Sequence, residues 1–488
     1  MSYKRKTILG IAFLAALSVG SAQVRAQQTQ QTQQTQQDTE DKPKPAGRDY
    51  APPPEENGQQ NQNGDQSGVE LQPDNQPLGG IAAPSLGTPE LRHSYWVPGL
   101  EYGNAISSNS PSIVANSGWN STNYFLGTLI ILELSGHSVF GVNYSGGGTL
   151  STGGGAVDGQ MHQLSTGYSL NSGRWQILLL DQFSYLPESG FGFGGGTALA
   201  IPGVQGILGA SLPGMQAGFL PNQSILSATG QQISNTGAAQ ATYLVSRRSS
   251  ITVNATYGLL RYVNSSNFDS NNPTAGIGYS YELTRNDSIG VQYRFGSFQF
   301  PGNPQAIGIQ VGQLEYGRKI TGQLSVQLFG GPEYTAVRVP VSGQSNRLVG
   351  SGGATLLYGW RRSQLSLIYN SGVTAGSGIF TGANTNMVTA SLGRSLTRIW
   401  QGSIDGGFAK NAALLNYTAQ TPIHYTSWFA GAGVSRPFGR DTTLSLGYRA
   451  EIEDTNGTVC SVPACGSSYL QHSIWLSFQW HSRPLVIE

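Results

Sequence analysis

The chain has 488 residues, a net charge of +1, and unusually few charged residues, 11%, beside 10% aromatics and 67 glycines. A charge balance this close to zero leaves no electrostatic footprint for a nucleic-acid partner. A surface so poor in Lys, Arg, Asp and Glu is also unlike that of a large soluble β protein, and past the N-terminus no stretch approaches the roughly 18 continuous apolar residues of a helical membrane span.

The N-terminus reads as a secretory signal over residues 1–26. Lys4-Arg5-Lys6 form its basic region and Thr7 to Gly20 its apolar region, which is too short and too early for a stop-transfer anchor. Ser21-Ala22 and Val24-Arg25-Ala26 both offer small-residue cleavage sites, with Ala26 preferred. No Cys follows, so a lipid-anchored mature end is not expected. Residues 27–92 are low complexity. Gln alternates with Thr from Gln27 to Gln37, and Pro-rich and Asn/Gln-rich pieces follow with Lys42, Lys44, Glu55 and Glu56. Such a segment cannot bury enough apolar area to offset chain entropy and is expected to be disordered.

From residue 93 onward the pattern changes to alternation of apolar and polar residues, the period of a half-buried strand. In Ser288 to Phe295, Ile289, Val291, Tyr293 and Phe295 share one face, and Gly290, Gln292 and Arg294 share the other. Ile251, Val253, Ala255 and Tyr257 oppose Thr252, Asn254, Thr256 and Gly258. Leu444, Leu446 and Tyr448 oppose Ser445, Gly447, Arg449 and Glu451. The polar face is small and carries few long charges, as a wet lumen would, which sends the apolar face toward lipid. Trp175, Tyr185, Tyr257, Tyr358, Trp360, Trp400 and Trp480 fall near strand ends, where amphipathic rings settle at headgroup level.

Seven tight basic turns join these stretches, near Arg174, Arg247-Arg248, Arg285, Arg318-Lys319, Arg361-Arg362, Arg398 and Arg436 to Arg440. The opposite connections are longer and richer in Gly, Asn, Ser and Pro. One short-turn edge and one long-loop edge are the mark of a transmembrane antiparallel up-and-down β-barrel. Seventeen strand candidates run from 123–133 to 469–481, with one at 237–247. Bacterial single-chain barrels have even counts. The missing strand is expected near 94–107, which gives 18 strands over 93–488, with 16 as the alternative and both termini periplasmic. Asp181 shares the parity of Trp175, Ile177, Leu179 and Phe183, and a carboxylate facing lipid is costly. A bulge that resets the register, a shallow position or a different boundary would each account for it.

The connection 187–236 is apolar and Gly-rich, and from Ser189 to Ser246 it holds no charge. A loop of this length needs a purpose. It either folds into the lumen and narrows it or caps the neighbouring loops. Charges of lumen parity are few: Glu282, Arg294, Glu315, Asp405, Arg449, Glu451 and Glu453. Both signs occur, so these pore-lining candidates predict weak selectivity, with Glu451 and Glu453 making one mouth mildly cation-favouring. Cys460 and Cys465 are the only cysteines. In an exported chain they are expected to form a small-loop disulfide. The six histidines make no metal-ligand pair, and no short motif singles out a catalytic set. No catalytic, cofactor-binding or metal site is therefore expected, and the chain is not read as an enzyme.

The layout of signal, alternating strands, short turns and long loops resembles Gram-negative outer-membrane barrels of the porin kind. The segments "LLLDQFSYLPESGFGFGGG" and "FGVNYSGGG" look like segments of an uncharacterised group of such barrels. The resemblance implies outer-membrane lipid and the barrel-assembly machinery as partners. Phe478 and Trp480 would serve as the terminal aromatic that machinery reads, although the tail His481 to Glu488 runs past them. The expected function is a channel for passive diffusion of small hydrophilic solutes through a lumen of Ser, Thr, Gln, Asn and Gly. An export conduit, for polysaccharide for example, and a closed structural or adhesive surface barrel are the alternatives. Homo-oligomerisation stays open.

Overall fold

The computed structural model describes residues 94–108, 119–152, 158–186, 231–263, 268–339, 343–376, 380–414, 424–455 and 469–487, and every element among them is a strand. In chain order these are β1 (Ser94–Ser108), β2 (Trp119–Ser135), β3 (Ser138–Thr152), β4 (Gly159–Ser172), β5 (Trp175–Leu186) and β6 (Gln231–Leu244). Next come β7 (Ser249–Val263), β8 (Ser270–Glu282), β9 (Asp287–Gln299), β10 (Ala306–Lys319), β11 (Leu324–Val339) and β12 (Gly343–Trp360). The last are β13 (Ser363–Thr374), β14 (Ala383–Ser395), β15 (Gln401–Ala413), β16 (His424–Phe438), β17 (Thr442–Thr455), β18 (Tyr469–His481) and the short β19 (Leu485–Ile487). The signal, the low-complexity segment, Cys460, Cys465 and most of the apolar connection lie outside the described residues.

Each strand pairs antiparallel with the next, and β1 pairs with β18 from Gly99↔His481 to Ser107↔Ser473. β19 continues the β18 edge against Ser94–Trp96. The result is a closed 18-stranded up-and-down barrel. The strand expected at 94–107 is β1, and the 16-strand alternative is excluded. Two boundaries move by six residues or more. The strand expected at 137–145 runs on to Thr152, with Thr149 opposite Gly159 of β4 and Thr152 opposite Ser121 of β2. The strand expected at 237–247 begins at Gln231, because Gln231–Thr236 continue the ladder opposite β7, as in Gln232↔Tyr262. Ile233 is the one apolar residue of Gln231–Thr236, so the alternation there is faint in the sequence.

The turns on the short edge explain themselves chemically. Gly136 and Gly173 carry φ of 46° and 57°, the left-handed geometry that a two-residue hairpin needs and glycine supplies. Four longer turns share a hydroxyl at the second position. Thr284 Oγ1 accepts from the N–H of Asn286 and Asp287, at 3.1 and 3.0 Å. Thr321 does the same for Gln323 and Leu324, and Thr397 for Ile399 and Trp400. Ser246 accepts from Arg248 N–H at 3.1 Å. These side chains satisfy backbone donors that the turn strands.

Exposure follows the alternation. On β7, Ile251, Val253 and Tyr257 are exposed, while Ser250, Thr252, Asn254 and Thr256 are buried. Inward hydroxyls pair across strands: Thr242 with Thr252 at 3.0 Å, Ser250 with Ser280 at 2.7 Å, and Ser366 with Ser391 at 2.7 Å. The apolar flank faces out and the polar flank faces in.

Asp181 keeps its outward parity. Its partners are Thr166 on β4 and Gly237 on β6, and Gly237 in turn opposes the exposed Tyr257. Both ladders run without a bulge, so neither a register reset nor a boundary error accounts for it. Asn235, on the same face, donates to Asp181 Oδ1 at 2.8 Å.

Candidate pore-lining site

The inner wall carries two clusters of charge and one isolated carboxylate. The first cluster sits on three adjacent strands. Arg294 of β9 and Glu333 of β11 both lie level with Val311 of β10, and Glu315 stands further along β10. All three face inward and are deeply buried, at 2%, 0% and 1% exposure. Both Glu333 and Glu315 act electrostatically on Arg294. Pro332 cannot donate to a ladder, and the β10–β11 pairing is interrupted between Val311↔Glu333 and Leu314↔Gly330. The neighbouring Gly331 has no room for a side chain, since a Cβ there would overlap the Gly312 carbonyl oxygen.

The second cluster spans β15 to β17. Asp405, Gly431 and Arg449 form one level row. Arg449 Nη2 meets Asp405 Oδ2 at 2.9 Å, reaching across the intervening strand, and Arg449 Nε lies 3.6 Å from Glu451 Oε1. The guanidinium stacks 4.5 Å over the Phe429 ring, a cation–π contact that holds its plane. Gly431 is the enabling residue, because an added Cβ would sit 2.8 Å from Asp405 Oδ1. The isolated group is Glu101 of β1, inward and 3% exposed. Among the described residues, neither of its oxygens has a hydrogen-bond partner.

The long-connection end of the lumen is not lined only by polar groups, contrary to the expectation of Ser, Thr, Gln, Asn and Gly throughout. Phe298, Phe300, Ile307, Ile309, Val337, Val373, Ala375 and Leu414 form one buried cluster there. Its geometry comes from the tip of the β13–β14 hairpin. Pairing between β12 and β13 ends at Gly352↔Ser371. Past that point the Val373 N–H donates to Glu333 Oε1 of β11 at 3.2 Å instead. The tip then meets β10 from inside: Gln305 Nε2 donates to the Thr381 carbonyl at 2.9 Å, and Thr381 Oγ1 donates to Gln305 Oε1 at 2.7 Å. Gly382, at φ 93°, lies so close to Ile307 that a Cβ would overlap it. A second inward apolar cluster joins Tyr124, Leu126, Met161 and Leu186. Leu186 is the residue from which the connection 187–230 departs.

The seven sequence candidates therefore divide. Arg294 and Glu315 meet in one cluster, and Asp405, Arg449 and Glu451 meet in the other. Glu282 has inward parity but is exposed at the short-turn rim, beside Arg248, away from both. Glu453 follows Glu451 on the same face, opposite Ser427 and Tyr469, and its side chain lies outside the described residues. Glu101 and Glu333 were missed. Glu101 sits in the least regular strand, and Pro332 hides the alternation around Glu333. Extending the parity count through both stretches would have found them.

No family model matches the chain, and no curated protein matches it. Among solved structures, OpdQ of Pseudomonas aeruginosa is 12% identical over 81% of this chain and 100% of its own, with a TM-score of 0.40. OccK2 (OpdF) of the same organism is 9% identical over 81% and 98%, at 0.42. The ferric preacinetobactin receptor BauA of Acinetobacter baumannii is 10% identical over 79% and 80%, at 0.38.

Proposed function

We propose that the chain is an outer-membrane channel through which small hydrophilic solutes diffuse passively. One observation carries the reading: a closed ring of 18 strands turns its apolar flank outward and its hydroxyl and amide flank inward. Barrels of this strand number are wide enough to hold water unless plugged. The signal-like residues 1–26 and the placement of both barrel ends on the short-turn edge support export, with that edge in the periplasm. Away from the rims, the described inward charges are Glu101, Glu315, Glu333, Asp405 and Glu451 against Arg294, Arg347 and Arg449. That surplus of carboxylates favours cations. Conductance in planar bilayers tests the function. Steady steps with a reversal potential on the cation side are expected from the full chain, and larger steps when residues 190–229, which stop short of β6, are deleted.

The apolar cluster at the long-connection end favours a second reading, a closed structural or adhesive barrel. It predicts electrical silence in the same measurement, and silence would displace the channel. The export-conduit alternative is separated by deleting residues 27–90. Unchanged solute uptake favours the diffusion channel, and lost function with intact insertion favours export.

A further inference from the structure

Charge on the barrel is one-sided. Of the 19 Lys and Arg in residues 93–488, 13 lie at the short-turn edge, and only four described carboxylates, Glu133, Glu282, Asp287 and Asp441, lie with them. Asp287 takes Arg318 at 3.6 Å, and Arg436 lies over the rings of Trp400 and Phe438 at 5.5 and 4.7 Å. Most of the others stand exposed at the turn tips. Among the described residues, no carboxylate comes within salt-bridge distance of Arg174, Arg247, Arg285, Arg361, Arg362 or Arg398. Successive short turns are two strands, or about 10 Å, apart. That is about one Debye length at physiological salt, so the charges of neighbouring turns reinforce one another. The crown runs from Arg174 round to Arg483, and its one gap is the β2–β3 turn, which holds Gly136 and His137.

The polypeptide ahead of the barrel has the opposite charge. Residues 27–92 hold ten carboxylates against four Lys and Arg. They join the barrel at this same edge. Ser94 Oγ accepts from the Leu134 N–H at 2.9 Å, two residues before Gly136, and Ser94 pairs with Ile487, just past Arg483. We infer that residues 27–92 dock through their Asp and Glu side chains on the arginine crown, so that the chain carries the partner of its own charged rim. A stretch of 66 residues of this composition spans roughly 45 Å, enough to follow the ring in either direction from Ser94. Each exposed pair is weak alone. The contact therefore depends on many pairs and on the covalent link, which holds the segment near the rim at roughly millimolar effective concentration. An anion from solution lacks that advantage. Because the cations ring the mouth and do not cross it, the docked segment leaves the mouth open. It also cancels a field that would oppose the cation preference of the carboxylates inside.

The inference stands apart from the channel reading, since an electrically silent barrel carries the same crown, and its readout is not conductance. A photo-crosslinking residue replaces Gln323 in the β10–β11 turn, or Asn303 at the opposite edge as control, in the full chain in its native membrane. The expected product from Gln323 has the mass of one chain and joins the β10–β11 turn to a peptide from residues 27–92. Asn303 should give none. The yield should fall roughly tenfold at about 1 M salt, where screening shortens the reach of exposed charges to about 3 Å. No product, an adduct with lipid or with another protein, or a yield indifferent to salt overturns the inference. A second measurement combines Arg361→Gln, Arg362→Gln and Arg398→Gln in detergent, with the heat-modifiable gel band as proof of folding. A Glu-specific protease should cut at Glu55 and Glu56 several-fold faster than in the unaltered chain, and equal rates overturn the inference as well.

Discussion

Asp405 and Arg449 meet at 2.9 Å across a strand that neither belongs to, and they do so because the residue between them, Gly431, has no side chain. The bridge is held on three sides: by the carboxylate of Asp405, by Glu451 along β17, and by the Phe429 ring beneath the guanidinium. Arg449 is thereby fixed against the wall and not free to sweep the lumen.

Gly431→Val should separate the pair. An overpacked site of this kind costs about 1–3 kcal/mol. The closed barrel should still form, with a lower midpoint for loss of the heat-modifiable band. The released Arg449 should reduce cation preference, read as a shift of the reversal potential under a salt gradient. An unchanged midpoint and an unchanged potential together would refute this account of Gly431.

Arg449→Ala should move the potential the other way, since it leaves Asp405 and Glu451 uncompensated. Asp405 is about a third exposed, so screening limits the loss of stability to about 1–2 kcal/mol, below the cost of breaking a fully buried pair. Glu101→Gln removes a carboxylate with no partner among the described residues, and should weaken cation preference with no loss of stability.

The inward-turned tip of β13–β14 predicts a gating phenotype. Gln305→Leu removes both hydrogen bonds to Thr381, each worth about 1 kcal/mol net. Open-channel noise should rise, and protease should cut within residues 375–382 faster than in the unaltered chain. Equal noise and equal cutting would mean that the tip is held by other contacts.

Phe298→Ser tests the apolar cluster as an obstruction. A truncated buried phenylalanine costs about 3–5 kcal/mol, which a closed barrel can lose and still insert. Single-channel conductance should increase, and an unchanged value would place the narrowest point elsewhere.

The short turns offer a test on folding. Thr321→Val and Thr397→Val each strip the hydrogen-bond acceptor from two turn N–H groups. A loss of about 1 kcal/mol per turn is expected from unmade bonds that water partly replaces. Urea midpoints for refolding into vesicles would show it.

The pattern along the chain determined what is local. Alternation assigns each residue to one of two faces, because successive side chains in a strand point oppositely. That made the strands, the lipid-facing and lumen-facing sets, the basic turns and the even strand count legible, including β1, which follows from the need to close the ring. A recurring Thr or Ser after an aliphatic residue at the short turns, as in Ile320-Thr321 and Leu396-Thr397, was there to be read as well. Only the tertiary structure decided which inward residues meet. Asp405 lies 44 residues from Arg449, and Gln305 lies 76 from Thr381. Parity gives each side chain its face but not its height. Height depends on the stagger of every strand against the next, accumulated around the ring, and on where a strand such as β13 leaves its neighbour and turns inward. Those are sums over many pairings, and no single stretch of sequence carries them.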